Sequence, residues 1–148
     1  MGHLLQFLEL LAFALWLGAV VFFSFFVAPT LFRKLGPETA GQAVRAIFPK
    51  YYLLGILCGA VLTAVHLLRG VLWYWGGMIR PSIALFALLT VLSVYARQWL
   101  TPAINAAREG GAERKPEFDK LHKRSVRLNG FLLLCLLFHL SWMAMRGY

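Results

Sequence analysis

Three ionisable residues stand inside long apolar runs of this sequence: Glu9, His66 and His139. A carboxylate and two imidazoles are ligands for zinc or copper, and two histidines can clamp a haem iron. At about 1.5 Å per helical residue each lies roughly 4–10 Å inside its run, always near the same membrane face, with His3 nearby. The three come from different runs, so they can converge. Ionisable groups are costly in hydrocarbon and mark a functional site by default. The competing reading is a structural polar cluster, in which the groups reach the headgroups or Glu9 pairs with His66 or Arg69. No HxxxH or HxxE spacing fixes two ligands on one helix, and no Met-rich segment is present. On sequence alone the structural cluster is preferred, and a metal or haem site is the alternative.

A second polar group, Arg97, His122, Ser125 and Asn129, belongs to the opposite face of the membrane. Thr90, Ser93 and Arg97 fall at i, i+3 and i+7, as do His122, Ser125 and Asn129, so each trio shares one face of a helix. The latter stripe continues through Leu132 and Leu136 to His139, giving one polar seam that meets both groups. Arg97 satisfied by Asn129, Ser125 or helix-end carbonyls would lock the third and fourth helices together. The functional alternative is a pocket for an anion or a lipid headgroup. The lock is preferred, because polar contacts between helices are usual in membrane bundles.

The elements that must position these residues are four apolar runs. The chain has 148 residues and is 60% hydrophobic, well above a soluble domain at ~45–50%. Helices are expected at about 4–28, 51–68, 82–100 and 117–145 of a single transmembrane domain, each near the ~18–20 residues needed to span the hydrocarbon. The first run carries no Lys or Arg ahead of it and is read as a retained helix stopped by Pro29. The third opens at Pro81 and closes before Pro102. Pro37 starts a short interfacial helix carrying Val44, Ile47 and Phe48, and Thr101-Pro102 starts another that Gly110-Gly111 ends. Pro116 begins a helix that runs on into the fourth crossing. Gly70–Arg80, with Trp73, Tyr74, Trp75 and Gly76-Gly77, reads as an aromatic interfacial turn. Gly55, Gly59 and Thr63 on the second helix, and Ala14 and Gly18 on the first, are expected contact seams. The expectation is thus an all-α, polytopic four-helix bundle with short interfacial helices on the cytoplasmic side.

The net charge of +9 argues topology rather than nucleic acid. Arg33, Lys34, Arg45 and Lys50 occupy the first connection. The third holds eight more basic residues, from Arg97 to Arg127. Only Arg69, Arg80 and Arg146 lie on the other side, so connections one and three are cytoplasmic and both termini are outside. Cys58 and Cys135 lie within apolar runs and read as packed hydrophobes.

Four segments give a resemblance. They are Ala28-Pro29-Thr30-Leu31-Phe32, Phe48-Pro49-Lys50-Tyr51-Tyr52, Ala96-Arg97-Gln98-Trp99-Leu100-Thr101-Pro102, and Phe118 through Asn129. In this order the chain resembles a bacterial family of uncharacterised four-helix membrane proteins related to animal transmembrane protein 205. The resemblance implies a four-helix bundle in a bacterial inner membrane and brings no reaction with it. No nucleophile–base pair, paired carboxylates or phosphate loop is found, so a non-enzymatic accessory or scaffold subunit of a membrane complex is the leading expectation. Its partners would be anionic lipid headgroups and a second copy or other membrane subunit. Handling of copper, zinc or haem through Glu9, His66 and His139 is the alternative, and an oligomeric small-solute transporter is a further one.

Overall fold

A computed structural model of the chain describes residues 2–72 and 79–146, and every regular element among them is helical. The expected aromatic turn around Trp73–Gly77 lies outside the described residues. Helix α1 spans Gly2–Phe22 and leads through a π-helical turn, Phe23–Val27, into α2, Ala28–Leu72. Helix α3, Ile79–Tyr95, leads through a second π turn, Ala96–Leu100, into α4, Thr101–Glu109, and α5 spans Lys115–Arg146. Three stretches are long and apolar enough to cross a bilayer: Gly2–Leu72, Ile79–Glu109 and Lys115–Met145.

Against expectation, neither Pro29 nor Pro102 ends its helix. Proline lacks an N–H and its ring clashes with the carbonyl four residues back. That carbonyl belongs to Phe25 for Pro29 and to Gln98 for Pro102, and each lies in a π turn. The wider turn relieves the clash, and the N–H groups of Ala28 and Thr101 bond instead to the carbonyls of Phe23 and Ala96. The two short helices expected on the cytoplasmic side are not separate elements. Residues 37–48 continue through Pro49 into the rest of α2, and α4 continues α3.

The longest stretch, 71 residues, would be about 106 Å long if straight, over three times the hydrocarbon thickness. It reverses at Gly36, where φ 72° and ψ 168° form a conformation open essentially to glycine alone. The second segment then returns antiparallel to the first. Phe23 meets Tyr51, Trp16 lies against Gly55 and Gly59, and Glu9 meets Arg69.

The core joins α1, α2, α3 and α5 through Phe13, Trp16, Val20, Leu62, Phe86, Leu89, Leu132 and Leu136. Gly55 and Gly59 form a contact seam, because a Cβ at Gly59 would strike Thr90 Oγ1 and come within 2.9 Å of the Trp16 ring. The α1 seam expected at Ala14 and Gly18 is not used within the chain: both are exposed, and a Cβ at Gly18 would meet nothing within 4 Å. Helix α1 instead turns Trp16, two residues away, into the gap that the α2 glycines leave.

Candidate functional site

Each polar residue of the first cluster is carried into the core by the apolar face of its own helix. On α1 that face is Leu5, Glu9, Ala12, Phe13, Trp16 and Val20. On α2 it includes Leu62, Val65 and His66, and on α5 it is Ser125, Leu132, Leu136 and His139. The start of α1 and the ends of α2 and α5 share one end of the bundle. There Glu9, His66 and His139 are all buried, and one ligating atom from each lies within 4.8 Å of the others.

The contacts are specific. Glu9 Oε2 accepts from Arg69 Nη1 at 2.6 Å. His66 Nδ1 lies 2.8 Å from the Leu62 carbonyl oxygen. A carbonyl can only accept, so Nδ1 carries the hydrogen, and in the neutral ring Nε2 is a bare lone pair. That lone pair faces Glu9 Oε1 at 3.4 Å, longer than the ~2.7–2.9 Å of a charge-assisted hydrogen bond. Two acceptors face each other here, a gap that a proton or a cation would bridge, beside the charge that Arg69 already supplies to Glu9. His139 adds a further unmet demand: among the described residues its buried Nδ1 has no hydrogen-bond partner.

The three side chains could hold a divalent metal ion if they closed from their present separations, which reach up to 4.8 Å. Bonds of about 2.0–2.1 Å to a tetrahedral zinc place its ligand atoms roughly 3.3 Å apart, close to the Glu9–His66 spacing of 3.4 Å. The leucine carbonyl is the outer partner that orients a ligating imidazole. Haem does not fit. Phe86 packs against His66 and His139 at ring-centroid distances of 5.3 and 4.7 Å, and Phe13 lies 5.6 Å from His139. The imidazole centroids are 6.1 Å apart at 73°.

The second cluster is divided by the fold. Ser125 and Asn129 meet α2, not Arg97. The Tyr51 hydroxyl donates to Asn129 Oδ1 at 3.2 Å, Asn129 Nδ2 donates to the Tyr52 hydroxyl at 3.3 Å, and that hydroxyl lies 3.4 Å from Ser125 Oγ. Arg97 Nε donates to the Pro49 carbonyl at 3.2 Å. His122 is exposed and stacks on Phe118, 5.7 Å away and nearly parallel. The polar lock therefore joins α2 to α5. Contact between α3 and α5 at this end comes from Arg124 over the Tyr95 ring at 5.2 Å. Tyr51 and Tyr52 stand at the same depth as Asn129 in the sequence, and matching depths would have found them.

A profile for a domain of unknown function, DUF4149, matches residues 11–113, more than half of the chain. The chain belongs to the DUF4149 family. Of the first cluster only His66 lies inside the matched span, and of the second only Arg97. An Aquifex aeolicus (strain VF5) relative bearing the name "Uncharacterized protein" is 54% identical over 50 residues. That match covers 34% of this chain and 36% of the relative. No solved structure gives a significant match.

Proposed function

We propose that this DUF4149 protein is a non-enzymatic inner-membrane protein that binds one divalent transition-metal ion, zinc or copper, through Glu9, His66 and His139. The observation that carries the reading is the meeting of a bare imidazole lone pair and a carboxylate oxygen at 3.4 Å, with a ligating atom of buried His139 within 4.8 Å of both. Two nitrogens and one oxygen suit zinc or copper(II); copper(I) prefers sulfur ligands. In this reading the chain crosses the membrane four times, the reversal at Gly36 dividing the first apolar stretch in two. Both termini are periplasmic, because the basic residues gather at the other end. The accessory role is then to hold or pass a metal ion within a membrane complex.

The test is equilibrium dialysis of the chelator-treated, purified protein against Zn²⁺ and against Cu²⁺, with bound metal counted by mass spectrometry. One ion per chain is expected, and His66→Ala and His139→Ala should each weaken binding at least tenfold. Binding no greater than to a His3→Ala, His66→Ala, His139→Ala triple variant would remove the proposal.

A further inference from the structure

At the opposite end of the bundle lies a cavity of about 860 Å³, within the range of ligand pockets, ~300–1,000 Å³. It is walled by residues from all four segments singled out in the sequence, including Pro29, Phe48, Thr101 and Phe118. Helix α5 contributes Lys115, Phe118, His122, Val126, Asn129 and Leu133, spaced three or four residues apart on one face. From Lys115 to Leu133 the groove follows α5 for roughly 27 Å at 1.5 Å per residue.

Its chemistry is graded along that length. Arg45, Arg108 and Lys115 line the end near the α4–α5 turn, and no Asp or Glu lines the cavity. Arg108 Nη2 donates to the Pro37 carbonyl at 3.1 Å, and its guanidinium lies over the Phe118 ring. Among the described residues no carboxylate pairs with it. The pairing of Arg45 with Glu109, at 3.9 Å and with Glu109 largely exposed, is loose. Farther along, the walls are apolar. Phe25 and Val126 line the groove and are themselves 61% and 58% exposed, so it opens sideways onto the surface that lipid would cover.

The geometry points to a binding site for one anionic phospholipid, its phosphate at Arg45, Arg108 and Lys115 and an acyl chain along the α5 face towards Leu133. Three cations at one end of an apolar groove complement a molecule with one charged end and a long apolar body. Asp119 holds Lys115 at 2.9 Å and Glu109 pairs loosely with Arg45, so Arg108 is the cation that a neutral lipid, or an apolar helix of a second copy, leaves without a counter-charge. This site is at the other end of the bundle from Glu9, His66 and His139 and stands independently of them.

The test is native mass spectrometry of the full chain in nonionic detergent, with phosphatidylglycerol and phosphatidylcholine of identical chains at equal concentration. One phosphatidylglycerol is expected to survive on the protein in preference to phosphatidylcholine. Arg108→Gln should lower that preference about fivefold, and so should Lys115→Gln, an exposed change with little to unfold. Gly130→Phe, which fills open space in the groove wall, should lower retention of both lipids. Equal retention of the two lipids overturns the proposal. So does displacement of phosphatidylglycerol by inorganic phosphate, which would mark an anion site alone. A lipid-free dimer that Gly130→Phe dissociates would make the groove an interface between copies and also overturn it.

Discussion

Arg69→Gln separates a metal site from a purely structural ion pair, because the two readings give opposite signs. The Glu9 side chain is 6% exposed and Arg69 Nη1 sits 2.6 Å from its carboxylate. Removing one partner of a buried pair costs about 3–5 kcal/mol. The Arg69 side chain is 27% exposed, so screening lowers this and about 2–3 kcal/mol is expected here. The metal-free variant should therefore melt earlier. The same change withdraws a competing cation from a carboxylate that would ligate the metal, and zinc should bind at least tenfold more tightly, about 1.4 kcal/mol. Zinc at one hundred times its dissociation constant returns about 2.7 kcal/mol, enough to restore the melting temperature. The assay is thermal unfolding in detergent, with and without zinc, beside a zinc titration, with Arg69→Lys as the charge-preserving control. If Arg69→Gln binds zinc no more tightly than the parent chain, or melts equally early with zinc present, the reasoning fails.

Two further outcomes follow from the packing and the surface. Gly59→Val should cost about 1–3 kcal/mol by overpacking against Thr90 and Trp16, whereas Gly18→Val, into open space, should stay within about 0.5 kcal/mol; paired thermal melts check both. Glu117 stands half exposed in the first turn of α5, ahead of the apolar run that begins at Val126, and the hydrogen bond and charge of Arg114 hold its carboxyl below the usual range. Its contribution to stability is therefore complete above the ordinary glutamate pKa and is lost as pH falls through the lowered folded value. A carboxyl NMR titration should show the Glu117 midpoint rising in Arg114→Gln.

What the sequence determined by itself is depth. Apolar runs with a fixed rise per residue locate Glu9, His66 and His139 at one level and Asn129, Ser125 and Arg97 at another, and the basic residues sort to the second end. Rotation and pairing were decided only by the tertiary structure. Gly18 and Gly59 are alike in sequence, yet only Gly59 faces a neighbour, because the packing choice rests on where Trp16 fits. Pro29 and Pro102 look like helix ends, since the π turns that absorb them carry no sequence signal as plain as proline itself. Arg97 has a long side chain with several acceptors in reach, and the helix crossings gave it the Pro49 carbonyl and left Asn129 to the tyrosines. The meeting of Glu9 with two histidines has the same origin: equal depth permits it, and only the antiparallel return at Gly36 together with the rotation of α5 brings the three side chains inward together.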